Sequence, residues 1–339
     1  MIWLTWRQFR VQAAVVFGLL AALALGLAVT GPGLAGDYRD GLAGCGSGEA
    51  CDRFRQHFFS GHQVQLVLLS AAVLLVPAVV GLFWGAPLVA REIEGGTHRL
   101  AWGQTVSRRR WLAVKLAMAG TAAAAAGGAA TLAVSWWSEP LFKAGAGNAS
   151  RLEPALFASH GVAPAGYALF SFVLGVAAGL LFRRTLIAMA ATLAVFAALQ
   201  FAIPLLVRPH LMTPVRADIP ITRDTVGGLY SNGPGGPVHV EARTPAGAWV
   251  LSRGVVDARG RSVDAIPLKL DAGACAPDPS RMGPKDSCFQ QMAQMGYRLR
   301  LGYHPGSRFW TFQWIEIGVF ALLTAALTGF CFWRIRRLS

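Results

Sequence analysis

The sequence predicts an all-α polytopic membrane protein with six transmembrane helices and a small mixed α/β extracytoplasmic domain between the fifth and sixth helices. Three observations predict it. Apolar residues make up 54% of the 339 positions and charged residues 14%, against about 25% charged in soluble domains. Six apolar runs each reach the roughly 20 residues that a bilayer core requires. Between the last two runs lie about a hundred residues whose apolar positions alternate with polar ones, as in strands.

The elements follow in order. Residues 1–10, "MIWLTWRQFR", place Ile2, Trp6 and Phe9 at helical spacing on one side. An amphipathic segment with buried aromatics lies in the headgroup plane, and simple continuation into the first span is the alternative. The first span is Val11–Thr30. Its apolar core is longer than a signal-peptide core and no clear small-residue cleavage site follows, so it is expected to be retained. The second span is Val64–Ala90 and the third Trp111–Trp137, the latter rich in Ala and Gly. The fourth and fifth, Ala165–Phe182 and Thr185–Val207, form one long run broken only by Arg183 and Arg184. Two adjacent arginines are costly at a helix centre but natural at an interfacial turn, so the run reads as a hairpin. The fourth span carries Gly175 and Gly179 at a four-residue interval, a spacing that lets helix backbones approach in lipid. The sixth span, Trp310–Trp333, belongs with a basic tail to the segment 309–339.

The segment 208–308 reads as the extracytoplasmic domain. Val238, Val240 and Ala242 alternate, Trp249–Leu251 and Val255–Val256 are strand-like, and Phe289–Met295 reads as a short helix stopped at Gly296.

Charge and cysteine give the orientation independently. The formal charge is +14, which here reads as span-flanking charge and not as a nucleic-acid footprint. With the N-terminus cytoplasmic, the inner segments carry Arg7, Arg10, Arg91, Arg99, Arg108 to Arg110, Lys115, Arg183, Arg184, Arg334, Arg336 and Arg337, whereas the two short outer loops carry five basic residues. Short-loop Lys and Arg lie inside, so both termini are expected in the cytoplasm of a multi-pass plasma-membrane protein. Cys45, Cys51, Cys275 and Cys288 all fall outside by that count, where disulfides persist. The local pairs are favoured, although four cysteines allow three connectivities; Cys331 lies in the last span and reads as an inert packing residue.

The chain has no G-x-x-x-x-G-K-[ST] phosphate loop, no H-E-x-x-H and no G-x-S-x-G. His57 and His62 have no acidic or cysteine partner at ligand spacing and read as plain loop residues, so no metal site is expected. Lys115 is expected to snorkel to the inner surface. Glu316, near Trp314, is expected at the outer interface, and it is nearly the sole candidate relay for an ion-driven carrier. A receptor-like sensor whose outer domain binds a ligand is the main alternative function. A membrane enzyme is a weaker one, since no convergent catalytic set is visible.

Residues 91–110 form the segment least explained by topology alone. Beside its arginines they hold Glu92 and Glu94, the two carboxylates of the inner segments, with Gly95-Gly96, Thr97, Leu100, Trp102, Val106 and a candidate cap at Ser107. The stretch "EGGTHRLAWGQTVSRRRWLAVK" resembles the E-x-G-T…L…P-V-S-R…K pattern after the second span of type-2 ABC transporter permeases, the membrane subunits of ABC exporters. Glu94, Gly96, Thr97, Leu100, Val106, Ser107, Arg108 and Lys115 match, and Thr105 stands where the family often has Pro. "YHPGSRFWTFQWIE" is similar to actinobacterial members. The resemblance implies a coupling loop in which Glu94, Gly96, Thr97, Arg99, Leu100 and Trp102 dock on a separate cytoplasmic ATPase, supported by the N-terminal aromatics. It also implies two permease chains, a homodimer or a pair with a related permease, and ATP and Mg held by the ATPase with no cofactor in this chain. An amphipathic or hydrophobic export cargo fits the apolar span faces slightly better than a sugar or ion.

Overall fold

The computed structural model describes residues 2–46, 48–96, 107–145, 150–233, 235–276 and 286–337. It divides into a helical unit, Met1–Gly145 with Pro154–Arg208 and Trp310–Ser339, and a smaller unit, Ala146–Glu153 with Pro209–Phe309.

The described residues include six helices long and apolar enough to cross a membrane: Thr5–Gly44, Ala50–Glu94, Arg108–Ala144, Ala163–Phe182, Thr185–His210 and Gly306–Arg336. The first is α1 (Ile2–Gly44). The second joins α2 (Glu49–Val79), a π-helical turn (Val80–Gly85) and α3 (Ala86–Glu94). Then come α4 (Arg108–Ala144), the short α5 (Pro154–Ser159), α6 (Ala163–Phe182), α7 (Thr185–Ala202) and finally α9 (Phe309–Arg336); α8 (Asp286–Gln294) belongs to the smaller unit.

Residues 2–10 continue α1 without a break, the second of the two readings of that segment. One expectation about α1 is corrected: at its other end the helix runs well past Thr30. Its 43 residues span about 64 Å at 1.5 Å per residue, twice the hydrocarbon thickness. α2 pairs with this extension through Tyr38, Phe54 and Phe58, whose rings lie 5.3 to 6.4 Å apart, and the Cys45–Cys51 disulfide closes the tip. His57 and His62 therefore sit on a helix, not in a loop.

The π turn has a local cause. Pro87 has no N–H to give the carbonyl four residues back, and its ring would crowd that carbonyl. The preceding turn widens, so that Ala86 N donates to Gly81 O, five residues back. A second π turn, Ile203–Val207, contains Pro204 and closes with Arg208 N donating to Ile203 O.

Glycine permits a close approach of two helices. A Cβ on Gly175 would lie 2.5 Å from Gly81 O and 2.6 Å from Ala86 N, and one on Gly85 would lie 2.3 Å from Phe172 O. The glycine pair of the fourth span thus packs against the second span of the same chain. Around this seam one core gathers Phe9, Trp84, Trp111, Leu112, Phe172, Val176 and Cys331. A second gathers Leu34, Tyr38, Phe58, Val134 and Leu141. By contrast α1, α7 and α9 leave Leu19, Val29, Leu186, Phe201 and Leu322 exposed, the surface expected of helices facing lipid.

Among its described residues the smaller unit holds seven strands: β1 (Val215–Pro220), β2 (Val226–Ser231), β3 (Pro237–Ala242), β4 (Trp249–Val256), β5 (Ser262–Val263), β6 (Ile266–Lys269) and β7 (Arg298–His304). They form two antiparallel sheets, ordered β1-β7-β4-β5 and β2-β3-β6. Val238, Val255, Ile266, Leu299 and Leu301 fill the core together with Phe289 and Met292 of α8. The Cys275–Cys288 disulfide ties α8 to the chain before it. The two strand-like runs at Trp249 and Val255 belong to one strand, and Gly296, at φ +80°, follows the helix end.

Candidate functional site

The helix ends on either side of residues 97–106 are both well defined. α3 stops firmly: Gly95 N donates to Arg91 O (2.9 Å) and Gly96 N to Ile93 O (3.2 Å). Gly96 takes φ +70°, a left-handed stop that favours glycine. α4 starts equally firmly, because Ser107 caps it by accepting from Arg110 N at 3.3 Å. Thr97, Arg99, Leu100, Trp102 and Val106 lie outside the described residues.

The two acids of the segment are both engaged. Glu94 Oε2 accepts from Thr185 N (3.0 Å) and Thr185 Oγ1 (2.8 Å). It caps the start of α7 from the end of α3, which satisfies a helix-terminal N–H and places negative charge at a positive dipole end. Glu92 pairs with Lys115 at 2.5 Å. Lys115 does not snorkel. It is 2% exposed, its ammonium also donating to Leu88 O (3.3 Å) and Gln8 Oε1 (3.5 Å) and lying 4.6 Å from the Trp111 ring centre. The N-terminal turns of α1 lie over it, so a buried ion pair replaces the route to water.

That arrangement divides the N-terminal aromatics. Phe9 is buried and meets Trp84 edge to face at 4.7 Å, while Trp6 is exposed. The helix includes Ile2, whose side chain is not among those described. A cleft of about 250 Å³ opens between α1 and α3, lined by Gln8, Phe9, Gln12, Pro87, Leu88, Arg91 and Glu92.

At the opposite end of the helical unit stands a polar cluster that sequence reasoning missed. Glu316 is buried among the helices, 1% exposed, and not open to solvent. Arg208 grips it with two hydrogen bonds of 2.9 Å, Tyr167 Oη donates to the same carboxylate, and the guanidinium lies 4.0 Å from the Phe157 ring centre. Three spans thus contribute to one charge-neutral cluster. Beside it Gln313 Oε1 accepts from Val162 N and Ala163 N (3.0 and 2.8 Å), and its amide donates to Phe157 O and His160 O. His160 is buried against Ser138 and Ser159. The available signal was a lone cation at the end of one span and a lone anion in the next. A carboxylate held this way joins three spans through one buried ion pair.

Both local disulfides are formed, and Cys331 is buried. Among the described residues no group of three His, Cys, Asp or Glu could hold a metal ion. A protein-family model described as ABC-2 membrane transporter related matches residues 17–208, from within the first span to the end of the fifth and including the 91–110 segment. No curated protein and no solved structure matches the chain.

Proposed function

This chain belongs to the ABC-2 membrane transporter related family, and on that premise we propose that it is the permease subunit of an ATP-driven exporter. It works with a separate cytoplasmic ATPase, which holds ATP and Mg, and with a second permease chain, a copy of itself or a relative. The termini and the 91–110 segment face the cytoplasm, and the cargo is amphipathic or hydrophobic. Family membership does not favour the receptor-like alternative, and the neutralised Glu316 speaks against an ion-driven carrier.

One observation supports the coupling role above the others: the two helix ends that flank the docking segment are each tied to further spans. Glu94 ties α3 to α7, and Lys115 ties α4 to Glu92 of α3 and to Gln8 of α1. A pull on the segment is therefore delivered to four spans together. ATP binding in the partner shifts an inward/outward equilibrium to the extent that the closed ATPase pair prefers one state.

The test is co-purification with a co-expressed candidate ATPase partner, with Trp102→Asp and Leu100→Asp as the variants. Loss of the complex and of permease-stimulated ATP turnover is expected. An intact complex with unchanged turnover overturns the docking role.

A further inference from the structure

The two-residue turn between α6 and α7 carries the one residue other than glycine with positive φ among the described residues: Arg183, at φ 58°. It occupies the left-handed position that ends α6, its N–H donating to Gly179 O at 3.1 Å. Such positions favour glycine, because a Cβ is penalised there. Topology alone does not call for the strain. Arg184, next in sequence and extended at φ −126°, supplies a charge at the same place without it. A side chain kept against its backbone preference points to a use.

The surroundings indicate which use. Arg183 and Arg184 are both exposed, and so are the flanking Leu181, Phe182, Leu186 and Ile187. α6 has 20 residues, about 30 Å of helix, which matches the hydrocarbon thickness. A turn of two residues then stays at headgroup depth, with apolar neighbours at acyl-chain depth. A water-soluble partner offers nothing to those apolar side chains, whereas a phospholipid meets both layers. The guanidinium fork matches phosphate oxygens in pairs. The turn is also held in place, since Thr185 is bonded twice to Glu94.

We propose that Arg183 and Arg184 form a binding site for the phosphate of an anionic phospholipid in the leaflet on the side of the termini, with Leu181, Phe182 and Leu186 against its acyl chains. The site does not depend on the ATPase reading and is tested on the full chain alone. The purified protein is placed in nanodiscs of phosphatidylcholine with one fifth phosphatidylglycerol, and the lipid retained on detergent extraction is counted by native mass spectrometry. Wild type is expected to retain phosphatidylglycerol over phosphatidylcholine, and Arg183→Asn and Arg184→Gln each to reduce that preference by about fivefold. Asn tolerates the left-handed conformation, so Arg183→Asn keeps the turn. Equal preference in wild type and variants overturns the proposal. Displacement of the lipid by millimolar inorganic phosphate also overturns it, because the site would then serve the free ion. As a check that needs no variant, photoactivatable phosphatidylglycerol should crosslink within residues 181–187 of wild type, and crosslinks confined to other segments overturn the assignment.

Discussion

At the scale of single residues, Arg208 and Glu316 carry the largest consequence. Both are removed from solvent, so each charge is tolerable only because the other neutralises it. Removing one partner should destabilise the helical unit by about 3 to 5 kcal/mol, and replacing both with apolar residues by far less. Thermal unfolding in detergent is expected to show Arg208→Met and Glu316→Leu each well below wild type and the double variant between them and wild type; an additive double variant would mean that the pair does not interact. His304 of β7 gives a pH signature. Burial, helped by the Arg308 charge, holds its imidazole below the ordinary range, against the pull of the Pro209 carbonyl. The folded state therefore refuses a proton that the unfolded chain accepts, so stability is full above about 6.5, the ordinary histidine value, and declines as pH falls from there. Fluorescence of Trp249, whose ring lies 5.7 Å from His304, should report earlier unfolding on acidification, and His304→Gln should flatten that dependence. Neither pairing was readable along the chain: Arg208 and Glu316 are separated by 108 positions and Glu94 and Thr185 by 91, so the sequence displayed the charges while only the fold supplied their partners.

At the scale of elements, what was legible depended on how strongly one environment dominated composition. The six spans were visible because lipid demands unbroken apolar runs, and the hairpin turn at Arg183–Arg184 was visible because charge cannot sit mid-bilayer. The extension of α1 past Thr30 was not, since its polar and small residues carry no bilayer signal and its apolar contacts lie on α2. Likewise the smaller unit was recognisable as strand-rich from alternation, but which strands pair is decided by contacts such as Val215 with Tyr303, far apart in sequence. The glycine spacing of the fourth span was visible while its partner was not. The seam predicts a sharp contrast. Gly175→Leu would drive a side chain into the backbone of the second span and should cost upwards of 1 to 3 kcal/mol, with loss of monodisperse protein in size-exclusion chromatography. Gly18→Leu, where nothing lies within 4 Å, should leave elution and unfolding temperature unchanged.

At the scale of the whole molecule, sidedness is the property on which the transporter reading rests. With cytoplasmic termini, both disulfides face the oxidising compartment. Treating intact cells with a membrane-impermeant reductant and then an impermeant maleimide should label Cys45, Cys51, Cys275 and Cys288 and leave Cys331 unlabelled. Labelling of the four only after permeabilisation would reverse the orientation and exclude a cytoplasmic ATPase at residues 91–110. The glycine seam also bears on the proposed transport cycle. Where two main chains touch with no side chain between them, there is no cushion to shear, and any relative slide meets hard atoms at once. The second and fourth spans must then travel as a single keel. On the exporter reading, opening and closing of a path falls to motions outside this seam, so crosslinks that weld the keel together should leave export running.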